Sequence, residues 1–470
     1  MPPTNLSALV PLLLVMLTPV AALLAIAARR HHEATAGITV AGLALALASV
    51  PPAMGTGPGQ VTPLLRIDDY ALLFTGLVVA AGIVVAMLAH GYWRRRPEQA
   101  EEFYVLLGLA TAGAAVLAAA DHFAALFLGV ELLSVSLFGL CAYPVRRTTA
   151  LEAGLKYLIL SGVASGLLLF GIALVYADSG QLGFATIGRA GPIMGLGLAL
   201  ILAGLAFKLS WVPFHLWTPD VYQGAPSPAT AFLATVSKGA VLVVLVRWLI
   251  ESGLYDAPAV VVPLAVLAVL SMLAGNLLAL LQEDLKRILA YSSVAHLGYI
   301  LVAVLAGRGL GAEALAFYLV AYFVTTLGAF AIVALLSEAP DDERHHLDRY
   351  RGLLWQQPGL AFCLMLMLLS LAGLPVTAGF VGKFYLFAAG VDAGAWILVA
   401  ALLLGSAIGL FYYLRVVAVM VLPQGDRAAG GRLPLTSLIV LAALTALLVW
   451  LGVYPTPTVE AALAAAAALG

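Results

Sequence analysis

Apolar stretches of roughly 20 residues, separated by short polar or Gly/Pro-rich connectors, recur from one end of the chain to the other. A hydrocarbon core about 30 Å thick takes about 20 helical residues to cross, so each stretch predicts a membrane helix. They fall near 6–28, 37–54, 69–89, 103–120, 122–142, 151–176, 191–222, 225–250, 258–280, 284–306, 312–336, 356–390, 395–421 and 434–453, fourteen in all. The stretches 191–222 and 356–390 are too long for one straight span and carry internal prolines and glycines, which predicts discontinuous helices. The Pro51–Pro63 segment is expected to be an ordinary connector. Leu6 to Ala28 follows no Lys or Arg and is too long for a signal peptide, so it is expected to remain as the first span.

Composition fixes the class. With 63% hydrophobic and 10% charged residues over 470 positions, the chain is an all-α polytopic membrane protein, with no room for a soluble catalytic domain. The basic residues are distributed unevenly between the two sides. Odd-numbered loops hold Arg29, Arg30, Arg94, Arg95, Arg96, Arg146, Arg147, Lys286, Arg287, Arg344, Arg349, Arg351, Arg427 and Arg432, against Arg66, Arg189, Arg247 and Arg308 in even loops. Cytoplasmic loops collect Lys and Arg, so the odd loops are expected in the cytoplasm and both termini outside.

Both broken helices are the fourth of five, in spans 4–8 and 9–13. Because five is odd, two such units run oppositely through the bilayer, the layout of inverted repeats with discontinuous helices at the binding site. The expected organisation is three N-terminal spans (1–100), a first repeat (101–250), a second (251–421) and a C-terminal span (422–470). Lys208 precedes its break and Lys383 follows its own, so the two are not simple equivalents.

The five basic residues not assigned to loops all lie within spans: Lys156, Lys208, Lys238, Lys383 and Arg415, the last near a span end where it can snorkel. Glu131 lies mid-span. A charge at mid-bilayer costs about 2.5–3.5 kcal/mol on insertion scales, which marks these positions as functional candidates. Glu131 and Lys208 are expected to pair in low dielectric. A lysine in apolar surroundings exchanges its proton nearer neutral pH than in water, which suits Lys208, Lys238 and Lys383 to proton transfer. His296 lies mid-span and is a candidate relay with Ser292, Ser293, Tyr318, Tyr322 and Thr325. His215, in the first break, is read as a relay or a cap on freed backbone groups. Lys156 lies nearer the cytoplasmic end.

Other features carry less chemistry. His31-His32 and His345-His346 are expected on solvated loops. The stretch Gly55 to Gly59 follows no strand and is assigned no cofactor role. Cys141 and Cys363 lie far apart within apolar helices, where a disulfide is not expected. There is no Walker loop, cysteine cluster or paired intramembrane histidine, so redox chemistry would belong to another chain.

Three segments together resemble the antiporter-like membrane subunits of respiratory complex I: Phe207 to Pro226, Asp284 to Ser293, and Gly373-Leu374-Pro375 to Gly382-Lys383-Phe384. Lys383, where M-type members carry glutamate, and the absence of the long lateral helix of L-type members place it nearest the N-type branch. The resemblance implies proton translocation, with Glu131 and Lys208 as input pair, Lys238 as central relay and Lys383 as exit group; Lys156 matches a further family lysine. It implies neighbouring antiporter-like and small membrane subunits as partners in a bacterial inner membrane, with no nucleic acid. FMN, iron–sulfur clusters, NADH and quinone would sit on other subunits, with no cofactor or metal here. Subunits of Mrp-type cation/proton antiporters and membrane-bound hydrogenases share these motifs and are the rival reading. A scaffold that only anchors partners is the third.

Overall fold

A computed structural model describes residues 6–55, 59–96, 99–186, 191–307, 309–337, 346–423 and 433–468. Arg189, Arg308, Arg344, Arg427, Arg432, His345 and residues 56–58 of the glycine-rich stretch lie outside these. The chain begins with α1 (Leu6–Ala28), α2 (His32–Ala48), the short α3 (Val50–Ala53), a hairpin β1 (Gly59–Thr62) and β2 (Leu65–Ile67), and α4 (Asp69–Trp93). Next come α5 (Glu101–Ala119), α6 (Phe123–Cys141), α7 (Thr148–Ser179), the broken pair α8 (Pro192–Lys208) and α9 (Trp217–Gly224), and α10 (Ser227–Phe232) running into α11 (Lys238–Glu251). Then follow α12 (Pro258–Leu280), α13 (Leu285–Ala306), α14 (Leu310–Leu336), the short α15 (Leu353–Gln356) and the second broken pair, α16 (Pro358–Ala372) and α17 (Ala378–Asp392). The chain closes with α18 (Trp396–Val421), α19 (Leu435–Val453) and α20 (Thr456–Ala467).

Among the described residues twelve helices are long and apolar enough to cross a membrane, and α8 and α16 are shorter apolar helices. The two stretches expected to be discontinuous are the ones that form short helices, and the twelve long helices do not by themselves give the expected count of fourteen. The Pro51–Pro63 connector contributes β1 to an antiparallel hairpin, with Gly59 opposite Ile67. An additional helix, α20, follows the last expected span.

Alternate loops converge at each end of the bundle. At the arginine-rich end, Arg30 pairs with Glu102, Arg96 donates to Ser337 at 2.8 Å, and Leu347 N–H bonds Glu283. At the other end, Arg66 pairs with Asp121 and Glu251. Arg247, expected in a loop, lies instead within α11 and is fully buried, in a two-pronged bond to Asp68 at 2.7 Å on each arm. Arg415 donates to the carbonyls of Leu280 and Gln282, just where α12 ends, as a cation at a helix C-terminus does. Cys141 and Cys363 are free thiols.

Both breaks end their first helix in a left-handed residue. After α8, Ser210 takes φ 57°, its N–H bonds Phe207 and the next N–H, of Trp211, reaches Ala206, the paired closure that glycine usually provides. After α16, Gly373 has φ 85°, and Val376 takes φ 71°, a position where a β-branched residue is strained. The freed groups find protein partners: Val212 N–H donates to Ser271 Oγ at 2.9 Å and Trp217 Nε1 to the Phe207 carbonyl at 3.1 Å. A helix interruption at membrane depth requires this.

Small residues bring α7 against α8. A Cβ on Gly171 would lie 2.7 Å from the Gly197 carbonyl oxygen and 2.8 Å from Ile201 N, both backbone atoms that cannot swing aside. Gly171→Val is expected to cost about 1–3 kcal/mol by overpacking, read as a lower thermal midpoint of the purified complex in detergent.

Candidate functional site

The buried ionisable groups are presented by the two broken helices and by the helices packed on them. Lys208 ends α8 and is 3% exposed; its Nζ donates to Ser134 Oγ of α6 at 2.7 Å and to Ser161 Oγ of α7. Glu131, one turn before Ser134, accepts from Ser165 Oγ, one turn beyond Ser161. The direct Glu131–Lys208 ion pair expected from the sequence does not form. Two serines stand on the lysine and a third on the carboxylate, so the charges act on each other through hydroxyls rather than in contact. Glu131 is half-buried on an outward stretch of α6, flanked one turn away by the exposed Leu128 and Val135.

Lys238 begins α11 and is wholly buried. Residues Leu233–Ser237, just before it, form a π-helical turn, a local widening that recurs at functional sites. Lys238 Nζ donates to Ser293 Oγ of α13 at 3.0 Å and lies 5.2 Å from the Tyr222 ring and 5.8 Å from that of Trp217. Ser293 in turn meets Tyr322 OH of α14 at 2.7 Å. The Tyr322 ring lies 5.6 Å from that of His296.

His296 is 4% exposed and held at both nitrogens: Nδ1 to Tyr318 OH at 2.7 Å and Nε2 to Tyr413 OH at 3.2 Å, with Ser292 bonded to the same Tyr413 hydroxyl. Lys383, in the first turns of α17, donates to the Ala372 carbonyl at 2.9 Å, where α16 ends, and its Nζ lies 5.2 Å from the Tyr299 ring. An ammonium there meets the negative end of the half-helix. Thr325 belongs to the same seam, bonding Ser370 Oγ at 3.1 Å. Lys208, Lys238, His296 and Lys383 thus form a row of buried groups, interrupted where, among the described residues, no hydrogen bond joins Lys208 and its serines to Lys238. Tyr322 and His296 touch only ring to ring, and no described side chain bonds His296 directly to Lys383.

The remaining candidates fall outside this row. Lys156 is partly exposed at the arginine-rich end, bonded to Glu152 and Asp220, each at 2.7 Å. His215 is 6% exposed, its ring set at the Pro213 backbone within the break without a well-aligned hydrogen bond at either nitrogen. His31 and His346 are exposed, as expected of a solvated face, with His346 paired to the exposed Glu283, whereas His32 is partly buried and its Nε2 meets Tyr104 OH at 2.8 Å. Sequence reasoning missed Lys286. It looks like a loop cation, but it is fully buried in the first turn of α13 and donates to the Ala225 carbonyl at the end of α9 at 2.7 Å. Ser161 and Ser165, one turn apart on α7, were the available signal for the hydroxyls around Lys208 and Glu131.

A family model described as NADH:quinone oxidoreductase/Mrp antiporter, transmembrane, matches residues 120–409. Proteins called NADH-quinone oxidoreductase subunit N from Methylococcus capsulatus and Chromohalobacter salexigens are each 49% identical to this chain over 97% of its length, covering 94% and 98% of their own. The chain belongs to the subunit N family of NADH-quinone oxidoreductases. Among solved structures similar to it, a chain of respiratory complex I from Thermus thermophilus with bound aureothin is 35% identical with a TM-score of 0.85, over 97% of this chain and 99% of that one. A chain of the Mrp complex from Dietzia sp. reaches a TM-score of 0.89 at 22% identity, over 99% and 98% of the two chains, and shares the fold alone. The stretch matched by the family model takes in both broken helices and every residue of the buried row.

Proposed function

We propose that this chain, as a membrane subunit of complex I, carries protons across the bilayer through the row Lys208, Lys238, His296 and Lys383, driven by charge changes handed on from neighbouring subunits. The observation that carries the reading is the row itself. Three lysines are buried where the helices are interrupted or locally widened and a histidine lies midway along the continuous α13, with hydroxyl or carbonyl partners arranged across helix boundaries. Charged groups at membrane depth that face a bundle interior mark ion pathways. The arginine-rich end is the cytoplasmic side of the inner membrane, with both termini outside, by the bias of basic loops. If α8–α9 and α16–α17 each cross once, the spans total fourteen and the two five-helix units run oppositely.

Protons enter from the cytoplasm toward Lys208 or Lys238, pass laterally by way of Ser293, Tyr322 and His296 with water closing the gaps, reach Lys383, and leave outside. The electrostatic handle is Glu131. Its charge reaches Lys208 across Ser134, Ser161 and Ser165, so a change at the outward face of α6 alters how firmly Lys208 holds its proton. Moving one proton against 100 mV takes about 2.3 kcal/mol and one pKa unit is about 1.4 kcal/mol, so a change of roughly two units suffices. NADH, FMN, iron–sulfur clusters and quinone belong to other subunits, and this chain contributes no redox centre. The subunit N relatives at 49% identity favour this over the Mrp reading, for which the Dietzia likeness supports only the fold.

Glu131→Gln and Lys208→Met test it. Each is expected to abolish proton pumping in an assembled complex, measured as protons moved per NADH oxidised in sealed vesicles. An unchanged ratio in both would remove the proposed role.

A further inference from the structure

Tyr299, one turn beyond His296 on α13, stands against both groups at the point where the row has no bond. Its ring lies 5.4 Å from the His296 ring and 5.2 Å from Lys383 Nζ, and the residue is 1% exposed. Its hydroxyl is engaged elsewhere, accepting from Asn276 Nδ2 of α12 at 2.8 Å.

Asn276 carries no charge and has no place in the row, yet it is buried and bonded at both ends of its amide. Nδ2 also donates to the Met272 carbonyl at 2.6 Å, and Oδ1 accepts from Tyr412 OH of α18 at 3.1 Å. A buried amide is costly unless its polar atoms are satisfied, so a node this complete fixes what it holds. Helix α18 leaves room for it: a Cβ on Gly405 would lie 2.8 Å from Tyr299 OH and 2.9 Å from Asn276 Nδ2. The neighbour of Tyr412, Tyr413, bonds His296 Nε2 at 3.2 Å. Adjacent residues of α18 therefore fix His296 and, through Asn276, the Tyr299 hydroxyl.

The Tyr299 ring keeps one freedom. Rotation about its Cβ–Cγ bond turns the ring faces while the hydroxyl oxygen, which lies on the rotation axis, stays on Asn276; this torsion is broad in aromatic side chains. An ammonium is drawn to a ring face and a neutral amine is not. The orientation of the ring is thus tied to whether Lys383 carries a proton.

We infer that Tyr299 is the valve on the last transfer of the row, with Asn276 and Gly405 as the positioning residues that give it a fixed pivot. The assignment rests on the proton-carrying function proposed above and adds what keeps its final step one-way. That step is a proton hand-over without electron flow: the His296 imidazolium gives its proton by way of water to the neutral Lys383 amine, leaving imidazole and an ammonium. The new ammonium draws the ring face over itself and closes the water path behind the proton. Release from Lys383 to the outside frees the ring to turn edge-on and readmit water.

The test uses the whole complex in sealed vesicles and reads proton flow driven by a potassium diffusion potential without NADH, beside protons moved per NADH as the opposing gradient is raised. Tyr299→Leu removes the aromatic face, and Tyr299→Phe keeps the ring but loses its hold on Asn276. A desolvated cation–π contact biases an equilibrium enough that Tyr299→Leu is expected to raise NADH-independent flow about tenfold. Its ratio of protons to NADH should fall more steeply with the gradient than in the unmodified complex, and Tyr299→Phe should move the same way by less. Adding Lys383→Met to either should abolish the extra flow. A packing lesion alone would lower yield or oxidation rate without opening a leak that depends on Lys383. Unchanged flow and gradient dependence in the assembled variants, or in Tyr299→Phe alone if only that one assembles, would overturn the valve, as would extra flow that survives Lys383→Met. Lys383→Met by itself separates the two claims. Loss of pumping there beside tight Tyr299 variants rejects only the valve, whereas intact pumping rejects the proton row as well.

Discussion

Lys238→Met is expected to stop proton translocation while leaving a folded, assembled complex. Methionine matches the length of the lysine stem and suits the surrounding apolar core, so the change removes a protonatable group without opening a large cavity. Lys238 is the wholly buried member of the row, bonded to Ser293 and through it to the Tyr322 hydroxyl, whose ring lies against His296. Taking away a positioned proton-transfer group typically lowers a rate by on the order of 10²-fold or more. The readout is the initial rate of vesicle acidification beside the rate of NADH oxidation, with subunit content of the purified complex as the assembly control. Near-normal acidification would show that protons do not pass through this position.

Asp68→Ala is expected to be the most damaging substitution for stability. Asp68 and Arg247 are 1% and 0% exposed and meet through two bonds of 2.7 Å, with the Arg247 guanidinium also lying 5.1 Å from the Tyr70 ring. Removing the carboxylate strands a guanidinium in the core, at a cost of about 3–5 kcal/mol. Low subunit yield and a lowered thermal midpoint would report it. The double variant Asp68→Ala with Arg247→Met should recover most of the loss, because apolar replacement of both partners of a buried pair is well tolerated. A double variant as unstable as the single one would count against stranded charge as the cause.

The sequence carried the breaks and the charges, and less of how they are joined. Pro213 and the Gly373–Pro375 pair announce interrupted helices because no neighbouring residues can restore the lost bonding. The lysines stand out because a charge in an apolar run is costly. Burial near helix ends was not legible. Lys286 and Arg247 sit within a few residues of loop signals and look like surface cations until a carbonyl or carboxylate from a distant helix is placed over them. The separation of Glu131 from Lys208 was equally hidden, since it depends on serines from α6 and α7 meeting α8. Neither the β1–β2 hairpin, set in a Gly/Pro-rich loop, nor the turn over Leu233–Ser237, which holds neither proline nor glycine, breaks the hydropathy pattern.

That last turn decides where a charge points. One surplus residue in a helical winding swings everything after it by about 100°. The aim of Lys238 is thus set by a backbone count upstream as much as by its own side chain: with the surplus removed, an intact and equally hydrophobic helix would direct the amine away from Ser293. Substitutions within Leu233–Ser237 that never touch a proton could silence the lysine by turning it, and relatives with identical lysines could differ in output for that reason alone.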